Sequence, residues 1–341
     1  MRPNNLEVTF HRTVRVAEGR AASNLPPSLG RMHLYKVSDY RNNCPTDWAD
    51  DALFMSLHDT EAMWISFHSY SKPVAVLVGA GGVNALTGQK LGTKLEKDNY
   101  LVCPPQPWID GWKDVDGTVH QFVATPHKKG EGITVAEQLI GADSKTGAIG
   151  LAIFDPKDDA KIKTKYYPYQ GVMGQPYSTT MDWGPVSGIT GYTGPTGYLA
   201  QASFTGSLHS GESVVPKSLL RSFAPHVEMG IGKGGKIIQK IYEDPHGIEV
   251  WKDKPTVVFA FYLVDAKTAE EITGEKVAAP VVHDNYSGPW FGLQDEKEKD
   301  VLGTSIFSGL KSAAFTGDKS NVEAKEEAAG EPLPVASEKG A

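Results

Sequence analysis

Cysteine is nearly absent: the chain has two in 341 residues, Cys44 and Cys103. Two thiols make no disulfide framework, and without a C-x-x-C pair they offer zinc no ligand set. They read as reduced thiols, and the expected location is cytoplasmic. Long apolar runs are missing too. The N-terminus lacks the apolar core of about 7–15 residues that a signal peptide needs. The longest apolar stretch, Pro73 to Val83, carries three glycines. It falls well short of the roughly 20 residues that span a bilayer. No membrane partner is expected. Positive charge is not in excess: 34 Lys and Arg stand against 41 Asp and Glu, a formal net charge of −7. That balance counts against a dedicated nucleic-acid surface, although a local basic patch would suffice.

Sequence signatures of catalysis are equally scarce. There is no G-x-S-x-G, no G-x-x-x-x-G-K-[ST] and no H-E-x-x-H. His58, Asp59 and Glu61, with His68 downstream, are donors a metal accepts, but their spacing matches no ligand pattern. We expect no metal and no cofactor.

What the chain has is glycine, proline and alternation. The 36 glycines and 22 prolines fit many short strands joined by turns. Leu6 to Phe10 and Thr13 to Val16 alternate with strand period. Met63, Ile65 and Phe67 share one face of a strand, with Trp64 and Ser66 on the other. Pro73 to Val78 reads as a buried strand, followed by a glycine hairpin or bulge at 79–82. Further strands are expected at Val119 to Ala124, Ala148 to Phe154 and Val257 to Val264. Thr134 with Glu137 forms a capping box for a short helix that Gly141 ends. A second short helix, Lys267 to Thr273, closes at Gly274.

Residues 170–214 contain no Lys or Arg and are rich in Gly, Ser, Thr and Tyr, the composition of a neutral insertion. From Thr316 the chain turns Glu-, Lys-, Ala- and Pro-rich without an aromatic, which predicts a disordered tail.

Two segments carry a chemical hypothesis. Gly232-Lys233-Gly234-Gly235 is a GXXG element, with Lys236 after it and Ile238 and Ile241 at helical spacing. A KH module uses such a loop to clamp a nucleic-acid backbone. The same residues also alternate, so a strand following a glycine turn is the competing reading. Trp108 and Trp112 flank Asp110-Gly111 in what reads as a loop, an aromatic setting suited to a sugar or peptide.

A wider resemblance covers about residues 6–312. Its motifs are Glu61-Ala62-Met63-Trp64-Ile65-Ser66-Phe67, Gln106-Pro107-Trp108-Ile109-Asp110-Gly111 and Gln121-Phe122-Val123-Ala124, then Glu137-Gln138-Leu139-Ile140-Gly141, Met229 to Asp244, Glu271-Ile272-Thr273-Gly274 and Gly288-Pro289-Trp290-Phe291. In this order they resemble an uncharacterised protein family of bacteria and some fungi. In that family the segment like Met229 to Asp244 has a Gly-Gly turn without these lysines. The resemblance implies no activity.

The expected fold is mainly β to α+β. It has two β-rich lobes at 1–165 and 216–315, an insertion at 166–215, a tail at 316–341 and a few short helices. The expected function is that of a non-enzymatic binding or structural protein. Its ligand, a protein or small molecule, would sit at Trp108, Asp110 and Trp112. The alternatives are RNA binding through Gly232, Lys233, Gly234, Gly235 and Lys236, and an enzyme whose site the sequence does not mark.

Overall fold

Two β-sheets face each other in a computed structural model that describes residues 6–16, 18–19, 22–59, 61–126, 134–141, 149–158, 160–162, 228–279 and 299–313. The expected insertion core at 170–214 and tail at 316–341 lie outside the described residues. The protein is mainly β, with two sheets and few short helices.

The strands are β1 (Leu6–Thr13), β2 (Tyr35–Lys36), β3 (Leu53–Ser56), β4 (Ala62–Ser69), β5 (Val74–Ala80), β6 (Val83–Asn84), β7 (Leu101–Cys103), β8 (Trp108–Ile109), β9 (Gly111–Lys113), β10 (Thr118–Pro126), β11 (Ile149–Phe154), β12 (Met229–Ile238) and β13 (Val257–Val264). The helices are α1 (Val135–Ile140) and α2 (Ala266–Thr273). The first sheet runs β1-β4-β10-β12, with β8 on β4 and β9 on β10. The second runs β2-β3-β13-β11-β5-β6, with β7 on β5. β12 and β13 come from the segment 216–315, yet β12 pairs with β10 and β13 lies between β3 and β11. The two segments therefore share both sheets.

Period-two patterning explains the packing. Phe10, Met63, Ile65, Phe67 and Phe122 of the first sheet meet Met55, Val76, Val78, Leu151 and Phe261 of the second in one core. The second sheet is covered on its other face as well. Phe54 packs with Trp48 and with Ala269 and Ile272 of α2, and Leu77 and Phe154 pack with Trp251. Burial on both faces is why β5 is an unbroken apolar run. The hairpin from β5 to β6 turns on Gly81 and Gly82, at φ 57° and 80°. Both central residues of a two-residue turn need that left-handed backbone. α1 has the expected capping box, and α2 ends at Gly274.

Gly111 marks the tightest strand contact. A Cβ there would stand 1.8 Å from the His120 carbonyl oxygen. Backbone on backbone leaves no flexible end to move aside. Gly111→Ala is expected to cost about 1–3 kcal/mol or more, read as a lower urea midpoint at unchanged slope.

Candidate functional site

The outer face of the first sheet is the candidate site. On this face Trp64 of β4, Trp108 of β8, Val119 of β10 and Ile237 of β12 pack under Val16 and Leu25 of the 14–30 segment. β4 and β8 are antiparallel, with Ile65 across from Ile109 and Ser66 across from Trp108. One step further sets Asp110 across from Trp64.

Three buried glutamines hold the irregular backbone around this face. Gln106 Nε2 donates to the Trp108 carbonyl at 2.7 Å, and its Oε1 accepts the Tyr242 amide at 2.8 Å. Gln239 Nε2 donates to the same carbonyl at 3.1 Å, and its Oε1 accepts the Asp110 amide at 3.0 Å. Gln121 ties down the cover, accepting the Val16 amide at 2.7 Å and donating to the Val14 carbonyl at 3.0 Å. Such bonds satisfy backbone groups that no ladder reaches.

Within this framework four polar atoms have no hydrogen-bond partner among the described residues: Trp64 Nε1, Trp108 Nε1 and both carboxyl oxygens of Asp110. Trp64 is 0% exposed, Trp108 7% and Asp110 1%. The two indole rings lie 6.3 Å apart at 60°. Burial pushes the Asp110 carboxyl well above the usual carboxylate range, against the opposing pull of the nearby Gln239 side chain. Buried polar atoms are nearly always bonded, so four orphans on adjacent residues need a physical reason.

Beside them stands a histidine between two serines. His11 stacks on Trp64 at 3.7 Å and 8°. Its Nδ1 is 2.9 Å from Ser28 Oγ and its Nε2 is 2.8 Å from Ser66 Oγ. Burial, then the nearby Arg31 charge, lowers its pKa to about 3, so the ring is neutral.

A separate, charged cluster lies where residues 299–313 meet the first sheet. Asp114 Oδ2 accepts from His120 Nε2 at 2.9 Å, from Ser308 Oγ, and from Lys236 Nζ at 3.3 Å. Lys236 also pairs with Asp116. Lys113, 0% exposed, reaches Asp300 at 2.7 Å. Burial works to raise the Asp114 carboxyl, but the bonds from Ser308, the Val115 amide and His120 outweigh it and hold it low. Burial and the Lys233 charge hold the His120 imidazole below its usual value. A serine, a histidine and an aspartate meet here in an order unsuited to nucleophilic catalysis. Hydroxyl and imidazole both donate to one carboxylate oxygen, and neither bonds the other.

The aromatic segment is not an exposed loop. Trp108 and Trp112 belong to β8 and β9, and both are buried. Trp112 faces the inner core. It packs on Phe122 and Phe307 and donates to the Gly232 carbonyl at 3.2 Å, so it does not join Trp108 and Asp110. The side-chain-free Gly111 is what lets β9 press onto β10.

Gly232, Lys233, Gly234, Gly235 and Lys236 are successive positions of β12 and do not form a loop entering a helix; Gly232, Lys233 and Lys236 pair with β10, and Gly234-Gly235 stand at the register shift between them. Gly234 serves close packing: a Cβ on it would lie 2.6 Å from Val123 Cγ2. Lys233 Nζ donates to the Ser308 carbonyl at 3.3 Å. Among the described residues no group of three or more His, Cys, Asp or Glu is placed to hold a metal ion. His58 Nε2 bonds the Ala278 carbonyl instead, and Glu61 pairs with Arg12.

Sequence reasoning missed His11, Ser28, Ser66 and Trp64 as site residues. The single available signal was the alternation that put Trp64 and Ser66 on the face opposite the core. No protein-family model, curated protein or solved structure matches the chain.

Proposed function

We propose that the protein is a non-enzymatic binding protein that takes a small hydroxyl-bearing molecule at Trp64, Trp108 and Asp110. The observation that carries this reading is the set of four orphaned polar atoms. One hydroxyl oxygen has two lone pairs for the two indole N–H groups and one hydrogen for Asp110. An ammonium ligand fits worse, because it would leave both indole donors unpaired, and His11 already covers a face of Trp64. Burial favours the neutral form of the Asp110 carboxyl, and the two indoles are neither bases nor nucleophiles, which supports a binding role for the set. A cytoplasmic setting agrees with the thiols: Cys44 and Cys103 are buried and unbridged, and burial pushes them up to about 11 and about 12.

The test is a titration of ¹⁵N-labelled protein with glycerol, myo-inositol and glucose. The Trp64 and Trp108 indole signals would be assigned with Trp64→Phe and Trp108→Phe. Both signals should move together and saturate with one compound, and Asp110→Leu should abolish the response. Still signals that show contacts to a bound water would mean that water alone fills the site, and the binding reading would fall.

A further inference from the structure

We propose that Ser66 is an activated nucleophile that forms a covalent adduct with acyl or phosphonyl electrophiles, with His11 as the base and Ser28 as the positioning residue. The orphaned atoms above play no part in this, so the two readings stand or fall separately.

Chain topology creates the pair. β1 and β4 run antiparallel, with Thr9 across from Ser66 and His11 across from Trp64. His11 therefore leans diagonally to bring Nε2 within 2.8 Å of Ser66 Oγ, and its ring is held flat by the stack on Trp64. A base close to a hydroxyl, itself oriented by a third group, is the arrangement nucleophilic catalysis uses.

Ser28 and Gly30 frame the tautomer this step uses. Ser28 Oγ lies 2.9 Å from His11 Nδ1, accepts from the Gly30 amide at 3.3 Å and stands 3.4 Å from the Gly30 carbonyl. In the reactive tautomer Nδ1–H donates to Ser28 Oγ and the Ser28 hydroxyl turns to that carbonyl. Nε2 is then the bare nitrogen, and the Ser66 hydroxyl donates to it. The low basicity of His11 keeps Nε2 unprotonated at every pH above the strongly acidic range. It also limits the rate, because a base far below neutral draws a proton weakly.

The chemistry balances without a cofactor. Ser66 Oγ bonds to the electrophilic carbon or phosphorus as its hydrogen passes to Nε2, and the leaving group departs with its electron pair. The imidazolium then returns the proton to the leaving group or to water. Hydrolysing the adduct would require the same weak base to activate water, so the adduct persists. The site reacts once and does not turn over. Reagents have a way in. Ser66 is half-buried, and Glu7, Thr9 and His68, outward positions next to it on β1 and β4, are half-buried as well.

The probe is a fluorophosphonate added to the full chain at pH 7.5, with adducts mapped by mass spectrometry over time. Each adduct forms a Ser Oγ–P bond and releases fluoride. We expect one adduct on Ser66, none in Ser66→Ala, and labelling about 100-fold slower in His11→Gln, the lower end of what general-base help supplies. Ser28→Ala should slow labelling with the fold intact by circular dichroism, and Ser28→Thr should restore it. A purely structural Ser28 would not produce that rescue. Ser38, exposed on the same chain, is the internal control. Labelling of Ser66 no faster than Ser38 overturns the proposal. So does a folded His11→Gln that labels like wild type. If His11→Gln does not fold, the Ser28 pair decides.

Discussion

Asp110→Asn is expected to stabilise the protein at neutral pH and to leave it unchanged near pH 4. The sign follows from the raised carboxyl. Below the unfolded-chain value, about 3.9, Asp110 is protonated whether the chain is folded or not, and it exerts no pull toward unfolding. As pH rises past that value the unfolded chain releases the proton, while the buried, unpartnered carboxyl in the folded protein keeps it. Wild-type stability then falls by about 1.4 kcal/mol for each pH unit. The fall stops once pH passes the folded-state value. Asparagine titrates in neither state, so the gain should grow with that slope from pH 4 upward. Urea unfolding of both proteins at pH 4, 6 and 8 measures it. Parallel curves would show that Asp110 is ionised and partnered in solution, and the donor arithmetic of the binding site would have to change. A site residue that lowers stability is the usual trade between function and folding.

Local pattern reveals only part of this arrangement. The alternation of Met63, Ile65 and Phe67 placed them in the core, and it left Trp64 and Ser66 on the face that became the site. The capping box at Thr134 and the stop at Gly274 are local chemistry, and the structure has both. β12 was harder to read, because glycine is a poor strand former and its four glycines and two lysines look like a loop. The reason for them is tertiary. Gly230 sits against Thr134, and Gly234 against Val123 and Gln121. Asp110 stood out through its flanking tryptophans, but they split between two faces, Trp108 outward and Trp112 inward. His11 and Ser66 are 55 residues apart. Only the register of β1 on β4 joins them, and no window of sequence contains that register.

The same ladder ends in a buried ion pair whose removal should be among the most damaging single changes. Arg12 Nη2 and Nε stand 2.6 and 2.8 Å from Glu61 Oε1, and both residues are under 10% exposed. Glu61→Leu leaves a guanidinium buried with its carboxylate gone. The expected loss is about 3–5 kcal/mol, the range for breaking one side of a buried pair. Arg12→Met with Glu61→Leu should recover most of it, since neither charge then needs to leave water. Recovery will be incomplete. The Ala279 carbonyl loses its bond from Arg12 and the His58 amide its bond to Glu61, at about 1 kcal/mol each. Urea midpoints of wild type, the two single mutants and the double mutant close the cycle. If the double mutant is no better than Glu61→Leu, the pair is not the source of the loss. The cause would then be the Glu61 carboxylate acting on the 58–61 turn, which a Glu61→Gln variant keeping the His58 bond would reverse.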